Sequence, residues 1–191
     1  MTDAQKVSAI KRINERLAEM GRQFGKDSGI YRDYKNAILL AIPEEALTRS
    51  GTISHGAKAL DVIDDQVLDD LLAKHTAGQV KKVAREEAKR ESEETGEPVS
   101  VDEYLEAMDY VYTVINDDPD EAYEAFETYW SIVGRGSSRP SYTVLRDIIE
   151  TKRRADQEYD LGNKEAADNI ENKLFKRLEQ RNKFNAEDLF T

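Results

Sequence analysis

The chain has 191 residues with no cysteine and two histidines; 35% of residues are charged, 39% are hydrophobic, and the formal net charge is −11. Lack of cysteine excludes disulfides, thiolate metal sites and cysteine nucleophiles. A polar start, TDAQK, and a longest apolar run of only Ala37–Ile42 argue against a secretory leader and a membrane span, so the expectation is a soluble, intracellular chain.

The charge is unevenly placed. Residues 1–58 hold ten Lys and Arg against seven Asp and Glu, whereas residues 91–130 hold fourteen Asp and Glu and no Lys or Arg. One segment therefore carries the whole imbalance, and the first 58 residues are mildly basic.

In chain order, Thr2 or Asp3 can cap a first helix with Val7, Ile10, Ile13, Leu17, Met20 and Phe24 on one stripe, ended by Gly25. Its other face is basic. Ser28 can cap a second helix that Pro43 stops, with Ile30, Tyr31, Tyr34, Ile38, Leu39 and Ile42 inward, and the two form a helical hairpin. Lys11, Arg12, Arg16, Lys26, Arg32 and Lys35 are candidate phosphate contacts; the competing reading is a solvated basic face. Pro43-Glu-Glu suits the first turn of a short helix ending near Ser50. Ser54 can cap a helix through Ile63, and Asp64 or Asp65 another through Leu71 and Leu72. His55 and His75 lack partners at metal-ligand spacing.

Residues 79–94 predict a very polar helix, with almost no apolar stripe beyond Val80, Val83 and Ala84, acting as a spacer or a docked arm and broken at Gly96–Pro98. Ser100-x-x-Glu103 is a capping box for a helix through Ile115. Asp118-Pro119 starts another, with Ala122, Tyr123, Phe126, Tyr129, Trp130 and Val133, stopped by Gly134. The loop GRGSSRPSYT then brings Arg135 and Arg139 and a run of hydroxyls. Ser141 or Pro140 opens a helix with Val144, Leu145, Ile148 and Ile149, and Asn163 caps a last one, leaving a polar tail from Phe184. The expected fold is all-α and elongated. Its expected parts are an N-terminal helical part (1–76), a charged connecting helix (77–98) and a C-terminal acidic helical bundle (99–191).

Nucleotide-binding loops, HExxH and GxSxG are all lacking, and the carboxylates around Asp117–Glu121 do not follow the calcium-loop pattern. No enzyme activity, metal or cofactor is expected. Two features remain. The acidic helices present carboxylates at helical spacing, as an ordinary solvated face does, or as a surface that imitates nucleic acid for a basic partner. The hydroxyl loop is either a connector with an N-cap or an exposed acceptor flanked by arginines that steady a phosphate.

The runs INERLAEMGRQFGKDSGIYRDYKNAI, ISHGAKAL and TGEPVSVDEYLEA resemble terminal proteins of small protein-primed DNA phages. The resemblance implies a chain that gives a side-chain hydroxyl to a partner DNA polymerase, which joins the first nucleotide to it at DNA ends. The polymerase's metal ions would do the chemistry. It also implies a DNA-contacting N-terminal part, and work in the host cytoplasm with packaging beside the DNA in the virion. Candidate acceptors are Ser137 and Ser138, then Ser141, nearer a cap, and Tyr142. Asp109, Asp117, Asp120, Glu124, Arg135 and Arg139 are candidate polymerase contacts. The alternatives are an acidic decoy that blocks a nucleic-acid enzyme and a virion or scaffold helper.

Overall fold

The structure, a computed structural model, describes residues 1–74, 76–134 and 140–188, and side chains as far as residue 180. Among the described residues there are nine α-helices and no strand, so the chain is all-α, as its hydrophobic periodicity predicts. It divides into two units, Met1–Val83 and Ala84–Thr191.

The first unit contains α1 (Asp3–Phe24), α2 (Gly29–Ala41), a 3-10 turn (Glu44–Ala46), α3 (Ala57–Val62) and α4 (Asp65–Ala73). Thr2 and Gln5 form a capping box at the start of α1, and Gly25, at φ 90°, ends the helix. Ile10, Ile13, Leu17 and Met20 recur every three or four residues and are buried against α2 and α4. Ser28 caps α2 by accepting the Tyr31 N–H at 3.2 Å. Leu39, expected inside, is 43% exposed.

The stretch after Pro43 departs from expectation. In place of a short α-helix there is a single 3-10 turn, followed by a tight reversal in which Leu47 and Ile53 form an antiparallel bridge. Asn14 of α1 holds this reversal. Its side chain accepts the Ile53 N–H and donates to the Ile53 carbonyl, both at 2.9 Å. The Ser54 hydroxyl accepts the Gly56 N–H at 3.2 Å, so it orders the loop and α3 starts one residue after Gly56 without a side-chain cap. Asp64 caps α4 through the Gln66 N–H.

Helix α5 (Ala77–Thr95) contains the boundary between the units, after Val83. At its start Thr76 and Gln79 make a reciprocal cap, at 2.8 and 3.2 Å. It also has a buried stripe: Ala77, Val80, Ala84, Ala88 and Glu91. Small side chains make that stripe narrow, which is why it resembles a fully solvated helix when hydrophobicity alone is read.

The second unit packs α6 (Val101–Asp117), α7 (Pro119–Val133), α8 (Tyr142–Asp160) and α9 (Lys164–Asp188) around Val111, Val114, Ala125, Leu145, Ile148 and Leu174. Ser100 with Glu103 caps α6, and Asp118 caps α7 with Pro119 in its first turn. Gly134, at φ 90°, ends α7. Tyr123 points outward, 64% exposed, because the buried stripe of α7 is Ala122, Ala125 and Tyr129. Asn163 stands just before α9, its carbonyl accepting the Ala167 N–H at 3.0 Å while its side-chain amide donates to Glu158 Oε2 at 2.9 Å. Helix α9 runs to Asp188, past the expected start of the tail at residue 184. Arg177 of α9 makes two bonds, 3.0 and 3.2 Å, to Asp147 of α8.

Asn14→Ala removes both bonds to a backbone segment whose side chain, Ile53, is only 1% exposed. The expected cost is about 1–3 kcal/mol, the penalty for leaving buried polar groups unmatched. Hydrogen exchange followed by NMR checks this: the Ile53 amide should lose its protection while the amides of α6 keep theirs.

Candidate functional site

The acidic face follows from the apolar stripes of α6 and α7. Tyr104, Ala107, Met108, Val111 and Val114 face the core, which leaves Asp102, Glu103, Glu106 and Asp117 outside. On α7 the same division exposes Asp120 and Glu124. Of the candidate polymerase contacts, Asp117, Asp120 and Glu124 are therefore exposed and Asp109 is half-buried. Asp120 and Glu124 line an open cleft of about 460 Å³ with Asp118, Glu121, Asp156 and Glu171.

Lys152 and Arg153 of α8 enter that cleft. Arg153 bonds both oxygens of Glu121, at 2.5 and 2.9 Å, and donates to the Tyr110 hydroxyl at 3.1 Å. Arg146 stands 5.0 Å over the Tyr110 ring. One edge of the acidic face is thus balanced from α8. By unit, the first holds 13 Lys and Arg against 12 Asp and Glu, and the second 15 against 27, so the imbalance belongs to the second.

The hydroxyl-bearing segment leads into α8. Arg135, Ser137, Ser138 and Arg139 lie outside the described residues. Ser141 is buried and serves as the N-cap, accepting the Val144 N–H at 3.3 Å. Its hydroxyl donates to Glu91 Oε1 at 3.4 Å and lies 3.0 Å from the Thr143 hydroxyl. Thr143 donates to the other oxygen of Glu91. Tyr142 is half-buried, with its hydroxyl 3.1 Å from that of Tyr112 and its N–H donating to the Tyr104 hydroxyl at 3.3 Å. Tyr104 in turn donates to Glu87. The Tyr104 and Tyr142 rings meet edge to face with centroids 6.2 Å apart.

Sequence reasoning passed over Glu87, Glu91, Tyr104 and Tyr112 as members of this network. One signal was available: Ala84, Ala88 and Glu91 continue the spacing of Ala77 and Val80, which puts a carboxylate on a buried stripe. Its hydroxyl partners, Ser141 and Thr143, stand 50 and 52 residues further along the chain, which no local pattern specifies.

The basic candidates in the first unit differ in exposure. Lys11, Arg12 and Lys26 are exposed, and Arg32 and Lys35 are half-buried. Lys35 lies 6.0 Å over the Tyr31 ring. Arg16 donates to the Leu72 carbonyl and, at 3.2 Å, to that of Lys74, so it closes the C-terminal end of α4. Lys6 does the same for α3, at 2.9 and 3.0 Å to Leu60 and Ile63. Arg12, Arg16 and Arg22 line one groove of about 490 Å³, together with Glu15 and Glu19. There Arg22 pairs with Glu19 at 2.5 Å and holds that carboxyl below its ordinary range.

Among the described residues no group of three or more His, Cys, Asp and Glu is arranged to hold a metal ion. None of their helices is long and apolar enough to cross a membrane. Comparison with protein-family models, with curated proteins and with solved structures finds no match.

Burial above all, then the Glu87 carboxylate, raises the Tyr104 phenol well above the ordinary tyrosine value of 10.0. The folded chain therefore holds this proton more tightly than the unfolded chain. That contribution to stability is complete below pH 10 and is lost as pH rises beyond it. Urea midpoints measured from pH 8 to pH 11 should fall for the native chain and fall less steeply for Tyr104→Phe. At pH 8 that variant should already be less stable by about 1–3 kcal/mol, since it leaves Glu87 and the Tyr142 N–H without their partner.

Proposed function

We propose that this chain is a non-enzymatic priming protein: its acidic second unit docks on the basic DNA channel of a DNA polymerase and offers a hydroxyl for the first nucleotide. The reading rests on one observation. Helices α6 and α7 turn their aromatic and aliphatic stripe inward, carry Asp117, Asp120 and Glu124 on the outside, and lead directly into the hydroxyl-bearing segment before α8. Carboxylates spaced along two helices offer a partner a row of negative charge, as a phosphate backbone does, and like charge repels DNA itself. The polymerase's metal ions would carry out phosphoryl transfer, and this chain would contribute position.

A second reading, an acidic decoy that occupies such a channel without being modified, draws on the hydroxyls of Ser141 and Tyr142. Ser141 is spent on capping α8 and on Glu91, and Tyr142 is paired with Tyr112. Priming therefore falls to Ser137 or Ser138.

Incubating the chain with its cognate polymerase, Mn²⁺ or Mg²⁺ and a labelled deoxynucleotide, then measuring intact mass, separates the two. Priming adds one nucleotide monophosphate and releases pyrophosphate. Ser137→Ala with Ser138→Ala should abolish the added mass without weakening polymerase binding. Binding with no added mass under any template condition would leave the decoy reading standing.

Charge neutralisation addresses both readings. Asp117→Asn, Asp120→Asn and Glu124→Gln together should weaken polymerase binding about ten-fold or more at low salt, and the difference should shrink as salt rises. Salt-independent binding of the native chain would contradict an electrostatic interface.

A further inference from the structure

Residues 84–95, the second half of α5, enter the second unit with few apolar side chains. In this stretch, AREEAKRESEET, Ala84 and Ala88 are the only apolar residues, and each buries a single methyl. The neighbouring helices differ. Helix α6 buries Tyr104, Met108, Val111 and Val114, and α8 buries Val144, Leu145, Ile148 and Ile149. Burial returns free energy in proportion to apolar area, whereas fixing a residue costs entropy whatever its side chain. Residues 84–95 therefore lose least on leaving their docked position.

Polar bonds hold them there. Glu87 accepts the Tyr104 hydroxyl. Glu91, only 5% exposed, accepts the hydroxyls of Ser141, at 3.4 Å, and Thr143. Ser92 accepts the Val99 N–H at 2.8 Å. On opening, bonds of this kind are exchanged for bonds to water, so their net hold is much weaker than their strength in an apolar medium. Apart from the two alanines, every side chain of the stretch is charged or carries a hydroxyl, and water receives such groups readily.

We propose that residues 84–95 form a strap that opens locally while α6, α7, α8 and α9 stay packed. Glu87 and Glu91 are its latches. Opening uncovers the Tyr104 hydroxyl and the first turn of α8, where Ser141 and Thr143 stand. The strap holds whether or not the chain takes a nucleotide, so it stands apart from the priming reading.

The chain has no cysteine, so one introduced thiol reports opening at its own position. Ala88→Cys places the thiol beneath the strap, and Ala125→Cys places it in the core of the α6–α9 bundle, at positions 2% and 1% exposed. The full chain is labelled with a thiol reagent under native conditions, and each rate is divided by that of the same variant unfolded. Labelling should be about a hundred-fold faster at position 88, because local opening needs less free energy than global unfolding. It should also respond weakly to low urea, since little surface is exposed, while labelling at 125 rises steeply. A rate at 88 no faster than at 125, with the same urea dependence, overturns the strap.

Glu91→Gln in the Ala88→Cys chain tests the latch. It should raise labelling at 88 about ten-fold, and an unchanged rate overturns the latch role. Amide exchange of the native chain needs no substitution and decides the matter should the cysteine variants fail to fold. Amides of residues 85–94 should exchange about a hundred-fold faster than those of Val111, Ile148 and Leu174. Equal protection across both sets overturns the strap.

Discussion

A carboxylate inside a protein is costly unless donors surround it, and Glu91 meets that condition with groups from a distant part of the chain. Its two oxygens are met by Ser141 and Thr143, and its neighbour Glu87 reaches the same turn through Tyr104. Helix α5 supplies both acids, α6 the tyrosine and α8 the hydroxyls. Breaking such a network at one point leaves the remaining members buried without partners, which makes it more specific than an apolar contact of equal area. The register of α5 on its unit follows from this pairing more than from its alanine stripe, because alanines slide past one another at little cost and a buried carboxylate does not.

The acidic helices pose a different problem. Fourteen negative charges without a positive one between Glu91 and Trp130 repel each other. Part of the answer is placement: Asp102 and Glu103 sit in the first turn of α6, and Asp120 and Glu121 in the first turn of α7, where the helix dipole favours them. Another part comes from α8, whose Arg153 holds Glu121 by two bonds and covers Tyr110. Asp102, Glu103, Glu106, Asp117, Asp120 and Glu124 stay exposed at the outer face.

The basic face of α1 carries the opposite lesson. Lys6 and Arg16 close the C-terminal ends of α3 and α4 by donating to their last carbonyls, groups that helices leave without internal partners. Those side chains hold short helices against a long one. Lys11, Arg12 and Lys26 remain exposed.

Local chemistry was readable from the amino acids alone. Thr2, Ser28, Asp64, Ser100, Asp118 and Ser141 act as caps because a small polar side chain satisfies orphan N–H groups wherever a helix begins. Gly25 and Gly134 end helices because their positive φ is free of strain only without a side chain. The apolar stripes, the all-α class and the location of the charge follow from the same short-range rules. The reversal at Leu47–Ile53 did not, since it depends on Asn14, which comes 39 residues earlier. Nor did the use of Arg16 as a helix cap, or the burial of Glu91 beside Ser141 and Thr143. Sequence spacing sets which side chains share a face of one helix; which donor from another helix meets a buried acid is decided only when the helices pack.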